Sequence, residues 1–402
     1  MKKRILLIHH GQGQGGALNA LLGLLEELKE DFEVDVLCLF SSQAVKMIED
    51  RGVKVHLPKT IFYKKFYRIF LKSEASYFTF VDYFRQWRNF FMYFLSMMLF
   101  AKIELNAFKG KYDILYLNSC FLSDWCRSGS SIFNNVVIHI REPLKTKGWD
   151  IRRIIIKSNI KRYVKVVIAV SKDNLERIGL KVDFKLKYVV YDPVKFQFLE
   201  NIELVKSNYN KPVRFLYLGG FQRIKGLEQL IDSLSFVKKK ANFTFLGPDI
   251  KEPNSKIKKF LFYLDKSNRV LLGNKKKLKE YTNVEVIGMV ENVDKYIMNS
   301  DVIISPFSKS HASLPILESF FFGKPIIASS IDGITELVES NVNGLLFSNS
   351  DIKDLAKCID KYSEMDVSTY NSMCISARKQ YEQIVMKNPI IKEILLNLED
   401  NE

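Results

Sequence analysis

Short apolar runs alternate along this chain with glycine-bearing turns and amphipathic stretches, and the alternation occurs twice. Ile5–Ile8 is an unbroken apolar run of strand length, the pattern of a strand covered on both faces. The glycine-rich loop Gly11–Gly16 follows, then an apolar stripe over Leu18–Lys29 that predicts a helix, then a second run at Val34–Phe40. Further strands are expected at Val53–Leu57, Ile114–Asn118, Val136–Ile140 and Val166–Val170. Strand, glycine loop, helix and strand in that order describe a Rossmann-like parallel sheet with crossover helices.

The second series starts near Val189 and passes a polar stretch from Asn201 to Pro212. Its apolar runs are Phe215–Leu218, Phe243–Leu246, Val284–Ile287 and Val302–Ser305, most of them closed by Gly or Gly-Pro. Lys251–Lys279 is expected to be a helical surface insertion, and Ser372–Leu398 to be helical except around Pro389. The fold class is therefore α/β with two Rossmann-like parallel-sheet domains, at 1–190 and 191–375, followed by a C-terminal segment at 376–402.

At 402 residues the chain exceeds one ordinary domain, and 47% hydrophobic residues suffice for two cores. Lys and Arg number 61 against 45 Asp and Glu, a net charge of +16 that favours an anionic partner. No nucleic-acid-binding module is recognisable, so nucleotide or acidic lipid are the partners expected. Five scattered cysteines fit neither a disulfide framework nor zinc-ligand spacing and point to a reducing cytosol. The run after Met1-Lys2-Lys3-Arg4 is too short for a signal-peptide core.

The richest segment is Ser305–Phe347, which reads as strand end, polar loop, helix, Gly-Lys-Pro turn, strand, Asp-Gly turn, helix and Asn-Gly turn. Pro315 marks a helix start, with Ser313 placed to cap it. Free amides and the positive dipole end make such a start a seat for phosphate. Glu318 in the first turn would repel phosphate but accept hydrogen bonds from a diol such as ribose. Together they suggest a nucleoside diphosphate ligand. Upstream, Leu218-Gly219-Gly220-Phe221-Gln222-Arg223-Ile224-Lys225-Gly226 places two cations in a loop between strand and helix.

This run resembles the donor-binding segment of the family 4 glycosyltransferases, retaining enzymes of the GT-B fold, in which two Rossmann-like domains face one another across a cleft. Leu314, Pro315, Glu318, Gly323, Lys324, Pro325, Gly333, Glu336, Asn343 and Gly344 match, as do Lys225 and Gly226 in the upstream loop. Ser310 stands where the family has the first of two glutamates, and Gly220 where it usually has an arginine, with Arg223 nearby. The resemblance implies that the nucleotide sugar, UDP- or GDP-linked, lies against Gly219, Gly220, Gly288, Ser310, Leu314, Pro315, Ile316, Leu317 and Glu318. Gly15 and Gly16 would approach it from the first domain. Lys225 and Arg223 would neutralise the departing diphosphate, with Glu318 and His139 as the other catalytic candidates. No metal or other cofactor is expected, and the C-terminal helix would cross back to brace the first domain.

His139, Arg141 and Glu142 close a strand in the first half, where open α/β sheets bind ligands, and are candidates for the acceptor side with Asn118 and Ser119. Residues 61–100 carry 16 of the chain's 51 aromatic residues and a local charge of +4, six basic minus two acidic. A helix over Phe62–Lys72 would set Phe62, Phe66 and Phe70 opposite Lys64, Arg68 and Lys72, as at an anionic lipid surface. The expectation is a cytoplasmic enzyme, peripheral at the inner face of the cell membrane. It would move a sugar to a glycan or lipid-linked glycan in surface polysaccharide biosynthesis. The alternatives are a catalytically weak nucleotide-sugar-binding partner subunit, which Ser310 would permit, and a GT-B nucleotide-sugar epimerase.

Overall fold

The computed structural model describes residues 2–12, 16–74, 80–181, 184, 186–192, 194, 209 and 211–398. The chain divides into two compact units, Met1–Pro193 with Lys387–Glu402, and Val194–Met386.

The first unit holds seven strands: β1 (Lys3–His9), β2 (Phe32–Cys38), β3 (Lys54–His56), β4 (Ile114–Leu117), β5 (Asn135–Ile140), β6 (Val166–Ala169) and β7 (Lys187–Val189). They form one parallel sheet in the order β3-β2-β1-β4-β5-β6-β7. Side chains alternate across β1: Leu6 and Ile8 enter a core with Tyr67, Tyr93 and Trp125, while Ile5 and Leu7 enter a second core with Leu21 and Leu25. That second core also takes Ile391, Ile394 and Leu395 from the short helix Ile391–Leu396. The return of the chain is fastened by Asn388, which donates to the Tyr191 carbonyl and accepts from its amide, both at 2.9 Å.

The second unit repeats the plan with β8 (Val213–Tyr217), β9 (Ala241–Leu246), β10 (Val284–Gly288), β11 (Val302–Ser305), β12 (Ile326–Ser330) and β13 (Gly344–Ser348). Its parallel order is β10-β9-β8-β11-β12-β13. A local device repeats as well. Asp113, just before β4, accepts from the Arg4 amide at 2.7 Å; Asp301, just before β11, accepts from the Arg214 amide at 2.8 Å. In both units the order reverses between the first and fourth strands. Such switch points leave a crevice beyond the strand C-termini, and these lie at β1/β4 and β8/β11.

The stretch Lys251–Lys279 is helical as expected, in two helices, Lys256–Leu264 and Lys266–Leu278. Two other expected helices differ in the structure. After Asp332-Gly333 the backbone makes consecutive hydrogen-bonded turns, such as Leu337 N–H to the Ile334 carbonyl at 2.9 Å, instead of a helix. Phe62–Lys72 is helical only as a π-helical turn at Phe62–Phe66, and Tyr67 is already extended. Tyr63, Tyr67 and Phe70 are buried in the core there, while Phe66 is exposed.

Leu395 is fully buried, so Leu395→Ala should cost about 2–4 kcal/mol. Urea unfolding followed by hydrogen exchange should show the loss in β1 and β2 and leave β8 and β11 protected. Equal loss in both sheets would contradict the assignment of this helix to the first unit.

Candidate active site

At the β8/β11 switch point, two loops eighty residues apart in sequence are locked together. Gly226 has a φ of +77°, and a Cβ there would lie 1.4 Å from the Pro306 carbonyl oxygen. Only glycine permits that approach. The Ser308 amide donates to the Ile224 carbonyl at 3.2 Å, and the Ser308 hydroxyl to the Arg223 carbonyl at 3.2 Å. Lys225 is thereby set against the segment after β11, its Nζ 4.3 Å from the centre of the Phe307 ring. The His311 ring stacks on the other partner of that contact, 4.7 Å from Phe307. Gly333, with a φ of +83°, packs against the His311 carbonyl, where a Cβ would sit 2.9 Å away.

The helix Leu314–Phe321 starts beside this cluster with Pro315 in its first turn. Ser313 does not cap it: its hydroxyl pairs with that of Ser305 at 3.0 Å. Ile316 and Leu317 are buried. Leu314, Pro315, Ser310 and Glu318 remain partly exposed.

Charge in this cluster is held at a cost. Burial pulls Lys225 down to about 8, with Glu318 opposing the shift. Burial pushes Glu318 up to about 7, with Lys225 opposing it. Burial, helped by Lys225, pulls His311 down to about 3, so His311 is neutral at physiological pH. Its Nδ1 is buried with no hydrogen-bond partner. A cation and a carboxyl at the margin of ionisation, beside a helix start, can bind an anion and a diol together.

Other expected residues are placed differently. Arg223 turns to Glu228, with Nη2 3.3 Å from one carboxylate oxygen, and Nη1 reaches Ser267 at 3.4 Å. Its guanidinium is therefore engaged away from the Lys225 cluster. Gly219 and Gly220 end β8, and Gly288 ends β10, where its carbonyl accepts from the Gly247 amide at 2.8 Å. These glycines line neighbouring strand ends on the side of the switch point away from the helix start. Gly15 lies outside the described residues, and Gly16 begins the first helix.

In the first unit, His139 is a correction. It lies within β5, fully buried, with Nδ1 2.8 Å from the Tyr116 hydroxyl, and burial holds it far below its usual range. It is a core histidine. Arg141 is likewise spent on Asp192, at 2.9 and 2.7 Å. What the strand ends do bring together is Glu142, which accepts from the Ser119 hydroxyl at 2.9 Å and lies 3.7 Å from His10 Nε2. Asn118 and His9 meet at 3.3 Å across the β1/β4 switch. His10 and the Phe307–His311 stack were missed because a histidine beside a glycine loop, or after a serine, has no spacing signature.

The linkage at Glu318 has a definite sign. Between about pH 4.5 and about 7 the folded chain keeps a proton that the unfolded chain has lost, so stability falls with rising pH. Glu318→Gln should match the parent near pH 4 and exceed it above pH 7, by roughly 1–3 kcal/mol after allowance for the carboxyl's water-facing side. Urea midpoints at the two pH values measure this, and an equal shift at both would remove the burial argument.

Residues 212–364, which span the Lys225 loop and the Leu314–Phe321 helix, match the family described as glycosyl transferases group 1. An uncharacterized 41.2 kDa protein in the cps region of Klebsiella pneumoniae is 23% identical over 278 residues, 67% of this chain and 66% of that protein. The N,N'-diacetylbacillosaminyl-diphospho-undecaprenol alpha-1,3-N-acetylgalactosaminyltransferase of Campylobacter jejuni is 21% identical over 54% of this chain and 52% of its own length. The chain thus spans about half to two thirds of the length of these curated relatives. The crystal structure of Anabaena Alr3699/HepE in complex with UDP-glucose superposes with a TM-score of 0.71 over 98% of this chain and all of that one, at 17% identity. The two doubly wound sheets and these likenesses show a GT-B fold, and within it residues 212–364 match the group 1 glycosyl transferases.

Proposed function

We propose that this protein transfers a sugar from a nucleoside diphosphate sugar to a glycan or lipid-linked glycan, with retention at the anomeric carbon. The observation that carries the reading is the Lys225–Glu318 pair beside the start of the Leu314–Phe321 helix, within the residues that match the family. In this reading the diphosphate sits on the helix amides and Lys225, and Glu318 accepts from the ribose hydroxyls. The bond from the anomeric carbon to the phosphate oxygen breaks, and the acceptor oxygen bonds to that carbon from the same face. The acceptor's proton passes to the departing phosphate. Charge grows on that phosphate, so a nearby cation and aligned amides act most strongly in the transition state. No metal is assigned a role.

The donor class draws on Anabaena HepE, crystallised in complex with UDP-glucose and with UDP and glucose. A lipid-linked acceptor draws on the Campylobacter relative, named for a diphospho-undecaprenol substrate, and a role in surface polysaccharide assembly on the Klebsiella relative in a cps region. Such an acceptor would place the enzyme peripherally at the inner face of the cell membrane. Glu142, held by Ser119 and facing His10, is the acceptor-side candidate that replaces His139.

Ser310 favours one second reading, a nucleotide-sugar-binding subunit that transfers poorly, since a serine supplies no charge where the family has a carboxylate. Turnover separates the two. A thermal-shift screen of UDP- and GDP-sugars should identify a stabilising donor, and incubation with it should release the nucleoside diphosphate. Lys225→Ala should lower kcat/KM roughly 10²–10³-fold. Affinity for the free nucleotide should fall as pH rises through about 8, because Lys225 loses its proton there. Donor binding without turnover, in the presence of polysaccharide or lipid-linked acceptors, would favour the subunit reading; no nucleotide binding at all would remove both.

A further inference from the structure

The helix Phe80–Leu95 continues through a π-helical turn at Ser96–Phe100 into the helix Ala101–Asn106. One side is buried: Asn89, Tyr93, Met97, Ala101 and Leu105 pack into the first unit, with the Tyr93 hydroxyl 2.9 Å from that of Ser123. The opposite side is apolar as well. Phe84, Trp87, Phe91, Phe94 and Met98 recur at three- and four-residue intervals and are all exposed, Phe84 to 60% and Phe91 to 56%. Residues 91 and 93 differ by about 200° at about 100° per residue, so these are two faces and not one broad stripe. A helix on the surface of a water-soluble unit ordinarily turns polar residues outward.

The apolar surface extends past the helix at both ends. Phe62 stacks on Phe100 at 4.0 Å, and the Tyr63 hydroxyl meets Ser96 at 2.6 Å, which fixes the neighbouring turn with Ile61 and Phe66 exposed. At the other end the buried Arg152 guanidinium lies 4.3 Å from the Trp87 ring centre, and beside Arg152 the side chains of Trp149, Ile151 and Ile154 are exposed, Trp149 to 81%.

The exposed charges around this surface are mainly positive. Lys64, Lys65, Arg85, Arg88 and Lys102 are exposed within it or along its edge. Asp82 is the acid on that stretch of helix, and it pairs with Arg85 at 3.4 Å; Glu104 is buried behind, accepting from the Thr60 and Lys59 amides at 2.6 and 3.0 Å. Aromatic rings ringed by cations complement an anionic bilayer surface, where rings enter the headgroup boundary and cations meet phosphate. A second copy of this face would bring like charges together. Among the described residues no helix is long and apolar enough to cross a membrane, so attachment would be to one leaflet.

We propose that this face, centred on Trp87, Phe91 and Phe94, docks the first unit onto an anionic lipid bilayer. The inference deepens the reading of a lipid-linked acceptor and rests on it for its purpose, though not for its geometry. It also replaces the expected Phe62–Lys72 helix as the lipid contact. Phe70 is in the core, and Lys72 is spent on an ion pair with Asp150.

Flotation of the full chain with vesicles tests it. The protein should rise with equimolar phosphatidylglycerol and phosphatidylcholine and stay behind with phosphatidylcholine alone or at high salt. Phe91→Ser with Phe94→Ser should cut the bound fraction at least about tenfold without lowering the melting temperature, since both rings are exposed. Arg85→Gln and Arg88→Gln should each weaken partition about fivefold. Absence of flotation, or flotation unchanged in all these variants, overturns the proposal. So does a dimer in light scattering that the serine pair dissociates, because the face would then serve a second copy. Transfer to a soluble acceptor fragment is scored separately. A chain that transfers but does not float refutes the docking alone, and one that floats without transferring refutes the enzymatic reading alone.

Discussion

The second unit's candidate site depends on one steric fit, that of Gly226 against the Pro306 carbonyl. A side chain at 226 has no room, and the φ of +77° is one that L-residues rarely adopt. The fit fastens the loop after β8 to the loop after β11 at the point where the strand order reverses. From it follow the position of Lys225 over Phe307, the stacking of His311 on the same ring, and the nearness of Lys225 to Glu318. The pairing of lysine with glycine in the motif is thus mechanical. The glycine brings the backbones together, and the lysine is the residue they carry into the site.

That placement leaves charge in an unfavourable setting. Lys225 and Glu318 oppose each other's shifts, yet burial outweighs the attraction for both, so neither fully compensates the other. His311 adds a buried nitrogen without a partner. Groups held in this way gain from a ligand that restores what water no longer supplies. A phosphate would keep Lys225 protonated, and a ribose hydroxyl would donate to an ionised Glu318. The stability that this burial of charge costs is then returned as binding energy, a common relation where function requires desolvated charge.

The fold was legible because both sheets are parallel and buried on each face. Their strands therefore appear as unbroken apolar runs ended by glycine, and β1, β8 and β11 fall within two residues of their expected limits. The site was legible only where chemistry leaves a backbone signature: Pro315 at a helix start and Gly226 at a left-handed turn. Side-chain direction was not. His139 stands at a strand end in sequence, but its position in the pleat turns it inward to Tyr116. Arg223 has the charge expected of a phosphate ligand, but Glu228, in the first turn of the next helix, pairs with it. Ser313 precedes the helix as a cap should, and its hydroxyl is drawn to Ser305 instead. Each of these outcomes depends on a partner distant or unremarkable in the sequence.

The aromatic segment shows the same limit from the other side. Periodicity over Phe62–Lys72 predicts one amphipathic helix there. The structure keeps only a π-helical turn at Phe62–Phe66 in that stretch and forms its long helix over Phe80–Leu95. Tyr63, Tyr67 and Phe70 fill the core, while Trp87, Phe91 and Phe94 of the Phe80–Leu95 helix are exposed. A face of that kind loses stability in water at each exposed ring, and burial at a lipid boundary would recover it. The exposed rings cannot be explained as part of the core, because Tyr93 and Met97 already serve that purpose from the opposite side of the same helix.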